Sequence, residues 1–472
     1  MELIVVGGGI AGLSTALLLA GDGHSVTVLE RDTAPPPVDA QEAWTEWERR
    51  GVSQFRMLHF FAPRFRRILE EELPQVVSAL DAAGALRFNA MALIPDEMKG
   101  GPRAGDEDFE AITGRRPVIE AVFGQVAAAT PGLTIRRAVG VEALLLGPDT
   151  GHGIPHVVGV RTEGGEELHA DLVIDATGRR SPLPRWLADI GAASPYEELD
   201  DSGFVYYGRH FRSDDGSLPA MFGPLLTPCG SVSVLTLPAD HGTWGIGIIA
   251  GGGDTALRGL RHVDRWMEAV RRFPLAAHWT EGEPLDEEIA VMAKIEDRLR
   301  RLVVDGKPVV TGVLTVADSW ACTNPSVGRG ATIGLMHAVA LRDMLRKVTP
   351  GDDPTGMVLA WDDKTRADIE PWYRATLELD HHSLASAAAA VRGEVYEPDD
   401  PRWAIGQALQ FGAGQDPDLL RASLSMAAML KTPDEVLHEP GIFEKVIAVG
   451  DAWRDAPLLG PDRAELVQLA SG

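Results

Sequence analysis

The chain of 472 residues has only two cysteines, Cys229 and Cys322. Two thiols build no disulfide framework and suit a reducing compartment. Positive charge is also scarce: 44 Lys and Arg face 69 Asp and Glu, for a formal net charge of −25. This excludes nucleic acid and anionic membrane surfaces as partners, because counterion release needs clustered cations. No apolar run approaches the roughly 18 residues that span a bilayer. The first strand begins at Glu2, leaving no room for the charged and apolar regions of a signal peptide. The expectation is a cytoplasmic protein with no membrane span. The sequence contains no G-x-S-x-G elbow, C-x-x-C pair or H-E-x-x-H motif, so hydrolase and metalloenzyme readings lack support. No metal is expected. His381 and His382 fall on different sides of a helix without partners at ligand spacing, and are read as solvated surface.

What is present begins at the first residue. MELIVVGGGIAGLS reads as a buried strand entering Gly7-x-Gly9-x-x-Gly12 and then a helix over 13–20. Strand, glycines and helix in that order hold a dinucleotide pyrophosphate. Gly7 allows the tight turn, Gly9 the approach of phosphate to backbone, and Gly12 the close packing of helix on strand. Ile10 and Ala11 supply amides at the helix start. The second strand, Ser25-Val-Thr-Val-Leu-Glu30, closes on an acid at the right distance to accept from a ribose hydroxyl. FAD or NAD fits this pattern, and NADP does not.

Two helical pieces separated at Pro74 are expected over 62–85, and another helix over 118–129. Segments 133–146, 156–162 and 167–174 alternate like antiparallel strands before a turn at Asp175-Ala-Thr-Gly178. From 204 to 250 the strand-like runs 204–211, 231–237 and 244–250 suggest an antiparallel sheet beside the nucleotide domain. Gly251-Gly-Gly253-Asp254 reads as a turn with Asp254 as an N-cap, not a second nucleotide loop. Beyond 350 the chain reads as helical.

Two further segments accompany the fingerprint: Asp171-Leu-Val-Ile-Asp175-Ala-Thr-Gly178-Arg-Arg-Ser181, and Ala317-Asp318-Ser-Trp-Ala-Cys-Thr-Asn324-Pro325-Ser-Val-Gly328-Arg329-Gly330. Together they resemble the FAD-dependent monooxygenases of the aromatic hydroxylase (p-hydroxybenzoate hydroxylase-like) superfamily, in particular its bacterial epoxidase and hydroxylase branch related to flavin halogenases. Arg50-Gly-Val-Ser-Gln54 is similar to a family stretch that lies along the flavin, with Ser53 where relatives carry Pro. One departure is Ala317, where the family has Gly.

The resemblance implies an α/β fold: a Rossmann-like FAD-binding domain over 1–85, 105–195 and 290–348, a β-sheet substrate domain over 86–104 and 196–289, and a C-terminal helical region over 349–472, packed against the substrate opening. It implies FAD contacts from Glu30, Arg31, Arg50, Gln54, Arg116, Gly178 and Asp318, with amide donors from Gly328, Gly330 and Ala331. Substrate-pocket candidates are His59, Tyr206, Phe222, Trp244 and Pro325, although the aromatic residues also fit a plain core. The implied reaction inserts one oxygen atom of O2, through a flavin C4a-hydroperoxide, into a hydrophobic electron-rich small molecule of secondary metabolism, by epoxidation or hydroxylation. NAD(P)H would supply electrons, directly or through a partner flavin reductase. Rival readings are a reductase of prenyl or polyketide-type substrates, a halogenase, which lacks its W-x-W-x-I-P block here, and a lipid-escort-like binder without catalysis.

Overall fold

The computed structural model describes residues 1–52, 54–148, 153–201 and 203–472, so Ser53 lies outside the described residues. Five parallel strands form the N-terminal sheet in the order Val313–Thr315, Leu172–Asp175, Glu2–Val6, Ser25–Glu30, Leu133–Arg137. Their runs of Val, Ile and Leu suit a sheet covered on both faces. Val5, Val28, Leu172 and Val313 are fully buried in its core. The helices Ile10–Gly21 and Gly330–Leu345 pack on each other, and Gly334 permits it: a Cβ there would stand 3.0 Å from the Ala11 Cβ.

Several expectations change in detail. Leu133–Arg137 and Leu172–Asp175 join the parallel sheet, while only Val141–Leu146, Val157–Thr162 and Glu167–His169 form an antiparallel set. The alternation reported pleating, which is common to both strand types, and parallel pairing depended on partners over a hundred residues away. The helices Pro63–Glu72 and Pro74–Ala82 part at Pro74, and Arg116–Ala128 is helical. Leu86–Asn89 pairs with Glu110–Thr113 in a separate two-stranded sheet.

The large antiparallel sheet has the core order Leu226–Cys229, Val232–Pro238, Thr243–Gly251, Phe204–Arg212, with two short strands added at its edge. Side-chain alternation gives it two faces. Tyr207, Phe211, Trp244, Ile246 and Ile248 pack on the helix Val263–Val270 and on Leu466 and Ala470 of the helix Arg463–Ser471. The last helix therefore returns to the back of the sheet, away from the rest of the C-terminal region. Phe204, Tyr206 and Ile249 lie on the opposite face. Asp254 stands at the N-cap position of the turn Thr255–Arg261 as expected but makes no side-chain cap bond; its Oδ1 accepts from Arg463 Nη2 at 2.6 Å and ties down that final helix.

Candidate active site

The backbone at the first turn is shaped by its own packing. Gly7 has φ +109°, and a Cβ there would stand 2.5 Å from the Ala176 carbonyl oxygen. A Cβ on Gly12 would lie 2.0 Å from the Gly7 carbonyl oxygen. Gly9 differs: only Glu120 Oε1 comes within 4 Å of its Cβ position, at 3.7 Å. The chain needs glycine at 7 and 12 for itself but leaves open space over Gly9.

Two bare helix starts border one chamber. Ile10–Gly21 and Gly330–Leu345 both begin without a side-chain cap. Ile10, Ala11, Gly12, Gly328, Gly330 and Ala331 all line the same space. Unpaired first-turn amides and the positive dipole end are donors suited to a pyrophosphate and to the polar edge of a flavin. The residues present fit FAD.

The three sequence motifs meet physically. Ser319 Oγ accepts from the Gly178 N–H at 2.9 Å and donates to Asp175 Oδ1 at 3.2 Å, joining the Asp175 turn to the Asp318 loop. Val316 N–H donates to the Asp175 carbonyl. Asp318 borders the chamber between them; burial raises its carboxyl pKa, opposed by the charges of Arg116 and Arg179. The neighbouring Ala317 has φ +52°, a conformation that favours glycine.

Glu30 ends its strand buried. Its Oε2 accepts from Gly8 N–H at 2.9 Å and from Arg49 Nη2 at 2.7 Å, and its Oε1 from Asp32 N–H at 2.9 Å. Oε1 keeps a lone pair for a ribose hydroxyl. Arg49 also reaches Asp32 at 2.8 Å and Glu120 at 2.9 Å. Arg50, the expected contact, is exposed and lies outside the chamber, because the turn directs its neighbour inward. Arg49 and Glu120 were missed; the available signal was a lone Glu among the apolar Val118, Ile119, Val122 and Phe123.

Of the remaining candidates, Arg31, Gln54, His59, Arg116, Gly178, Phe222 and Pro325 line the chamber. His59 Nδ1 bonds the Met57 carbonyl at 2.9 Å, which fixes the proton there, so Nε2 accepts from Arg116 Nη1 at 3.2 Å. Burial and the Arg116 charge push its pKa down to about 3. With both nitrogens committed, His59 is a neutral positioning group, not a free base. Trp244 is no pocket wall: it stacks near Phe211 and donates to the Trp279 carbonyl at 2.8 Å on the far face of the sheet. Tyr206 lies beneath the wall, hydrogen-bonded to Asn324.

The chamber measures about 1700 Å³. That exceeds the roughly 300–1,000 Å³ of a typical ligand pocket and leaves room for a dinucleotide plus a large second molecule. Beyond the glycine turns its wall is apolar: Phe60, Phe88, Leu93, Phe204, Leu235 and Ile249, with Leu379, Leu409 and Leu424 from the C-terminal helices. His382 lines it too, half-buried and bonded to Tyr396, so it is not solvated surface. Its near neighbours Glu378 and Asp400 make a group able to hold a metal, but Arg402 Nη2 sits 2.9 Å from Glu378 and 3.3 Å from Asp400 and supplies the cation. Among the described residues no helix is long and apolar enough to cross a membrane.

Residues 2–86 match the family described as FAD dependent oxidoreductase, DAO. Protein Rv3254 of Mycobacterium tuberculosis (strain ATCC 25618 / H37Rv) is 26% identical over 374 residues, covering 73% of this chain and 72% of the relative. Among solved structures the chain is similar to the flavin-dependent brominase Bmp2, with TM-score 0.60, 14% identity and coverage of 96% and 100% of the two chains. It is also similar to pqsL of Pseudomonas aeruginosa, described as a probable FAD-dependent monooxygenase, with TM-score 0.55, 14% identity and coverage of 83% and 96%. The fold is that of FAD-binding monooxygenases and halogenases.

Proposed function

We propose that this chain, which carries an FAD-dependent oxidoreductase domain, is a monooxygenase that places one oxygen atom of O2 on a large hydrophobic, electron-rich small molecule, by epoxidation or hydroxylation. One observation carries the reading: the two uncapped helix starts, the Asp318 loop and a greasy wall open on a single continuous chamber. FAD, when bound, supplies two-electron redox chemistry and the activation of O2, and NAD(P)H, directly or through a partner reductase, supplies the electrons.

The protein's own residues have the simpler tasks. Glu30 accepts from the adenosine ribose, and the amides of Ile10 to Gly12 hold the pyrophosphate. Asp318 holds the ribityl chain, and the amides of Gly330 and Ala331 favour negative charge on the cofactor's pyrimidine edge. Phe60, Phe204, Leu235 and Ile249 keep the reacting centre dry and hold the substrate against it, which protects a reactive oxygen species from water. Neutral His59 keeps Arg116 in place beside the cofactor. Nothing in this scheme requires a strong acid or base near the substrate.

The test is purification followed by oxygen labelling. The expected protein is yellow, and with reductant and 18O2 it transfers label to at least one member of a panel of polyenes, terpenoids, polyketides and indoles. Loss of a C=C bond without label would instead show a reductase, and colourless protein that FAD cannot reconstitute would show a binder.

A further inference from the structure

One cation beside the chamber makes no ion pair among the described residues, the nearby carboxylate acting on it only through its field. Arg329 stands between Gly328 and Gly330, is 7% exposed, and lines the chamber. Arg49, Arg66, Arg115, Arg300 and Arg342 are also buried, and each meets a carboxylate side chain. Arg209 spends two donors on the Asp286 carbonyl. Arg329 has a single hydrogen bond among the described residues, from Nη1 to Thr376 Oγ1 at 2.7 Å. Its remaining N–H groups have no partner among the described residues.

The side chain leans on the C-terminal helix Glu370–Arg392, with Cζ 6.0 Å from the Trp372 ring. Asp380 is the carboxylate that acts on it, and that group is engaged by Asn324 Nδ2 at 3.0 Å. Burial lowers its pKa to about 10, so it remains a cation at neutral pH. A buried, fork-shaped cation with open donors is strongly selective for an oxyanion.

We propose that Arg329 anchors a carboxylate of the substrate, so that the compound oxidised is an amphipathic acid with its apolar body in the chamber and its carboxylate on the guanidinium. This rests on the monooxygenase reading for calling the ligand a substrate. The anion-binding claim stands by itself.

The probes are cis-parinaric acid, an 18-carbon fluorescent polyene acid, and its methyl ester, titrated into the purified holoenzyme. Wild-type protein is expected to bind the acid about 10- to 100-fold more tightly than the ester, the range of a charge-assisted hydrogen bond in a buried site. Arg329→Met should bring that ratio close to one while ester affinity is retained, and Arg329→Lys should keep part of it. A wild-type ratio below about twofold, or an Arg329→Met ratio equal to wild type, would overturn the proposal. Should Arg329→Met not fold, the wild-type and Arg329→Lys ratios still decide. Flavin absorbance is read on the same samples: colourless protein that prefers the acid sinks the oxidoreductase reading alone, and yellow protein without the preference sinks the anchor alone.

Discussion

Arg49 and Glu120 meet at 2.9 Å beneath the dinucleotide turn, in a site where both side chains are buried and Glu30 and Asp32 share the same guanidinium. Removing the cation leaves Glu30 and Asp32 without that partner and Glu120 with Arg116 alone, at 3.2 Å, which costs about 3–5 kcal/mol for a buried pair. Arg49→Met is therefore expected to lower the urea midpoint sharply and to empty the protein of flavin. Arg50→Ala, one residue away and exposed, should change stability by less than about 0.5 kcal/mol. Urea titration with flavin absorbance compares the two directly, and equal effects would show that the inward arginine has been misidentified.

The glycines of the first turn separate folding from cofactor binding. A Cβ on Gly12 collides with the Gly7 carbonyl oxygen at 2.0 Å, so Gly12→Ala is expected to cost about 3 kcal/mol as overpacking that backbone cannot relieve. Gly9 has open space, so Gly9→Val should fold but carry no FAD, because its side chain fills the place of the phosphates. Circular dichroism and flavin content distinguish the two, and a folded Gly9→Val protein with normal flavin would contradict the cradle. Asp318→Ala is expected to fold and to lose FAD on dialysis faster than wild type.

What was legible in the sequence was what short stretches of backbone dictate. Gly7, Gly9, Gly12, Glu30 and the Gly328 loop announce themselves because turn, close approach and helix start each demand particular residues within a few positions. Arg49 and Glu120 were hidden because their pairing spans 71 positions, and because nothing local tells which of two adjacent arginines turns inward. Trp244 was misplaced for a related reason. Alternation separates the two faces of a sheet covered on both sides, but only the docking of Val263–Val270 and the final helix shows which face lies away from the chamber.

Ala317 holds a backbone conformation that strains a residue with a side chain. Its φ of +52° costs a residue with a Cβ about 1–2 kcal/mol, part of which the greater chain entropy of glycine in the unfolded state would offset. Ala317→Gly is expected to raise stability by about 0.5–1 kcal/mol, seen as a higher melting temperature. A lower one would mean that the packing of its methyl group, which stands 3.3 Å from the Cβ position of Gly334, outweighs the strain.

Groups withdrawn from water respond to acid with opposing signs. His59 and His337 are held neutral, with pKa values pushed down by burial to about 3 and about 4. The unfolded chain binds those protons at about 6.5, so the stability they contribute is present above pH 6.5 and is lost as pH falls toward 4. Asp297 acts the other way. Burial raises its pKa to about 6, against the pull of the Asn324 N–H, so between pH 6 and 3.8 the folded state takes up the proton first and gains stability. His337→Phe should make the loss of stability with falling pH shallower, and Asp297→Asn should make it steeper. Urea midpoints from pH 7.5 to 4.5 measure both, and an unchanged slope in the Asp297→Asn protein would show that this carboxyl is ionised across the whole range.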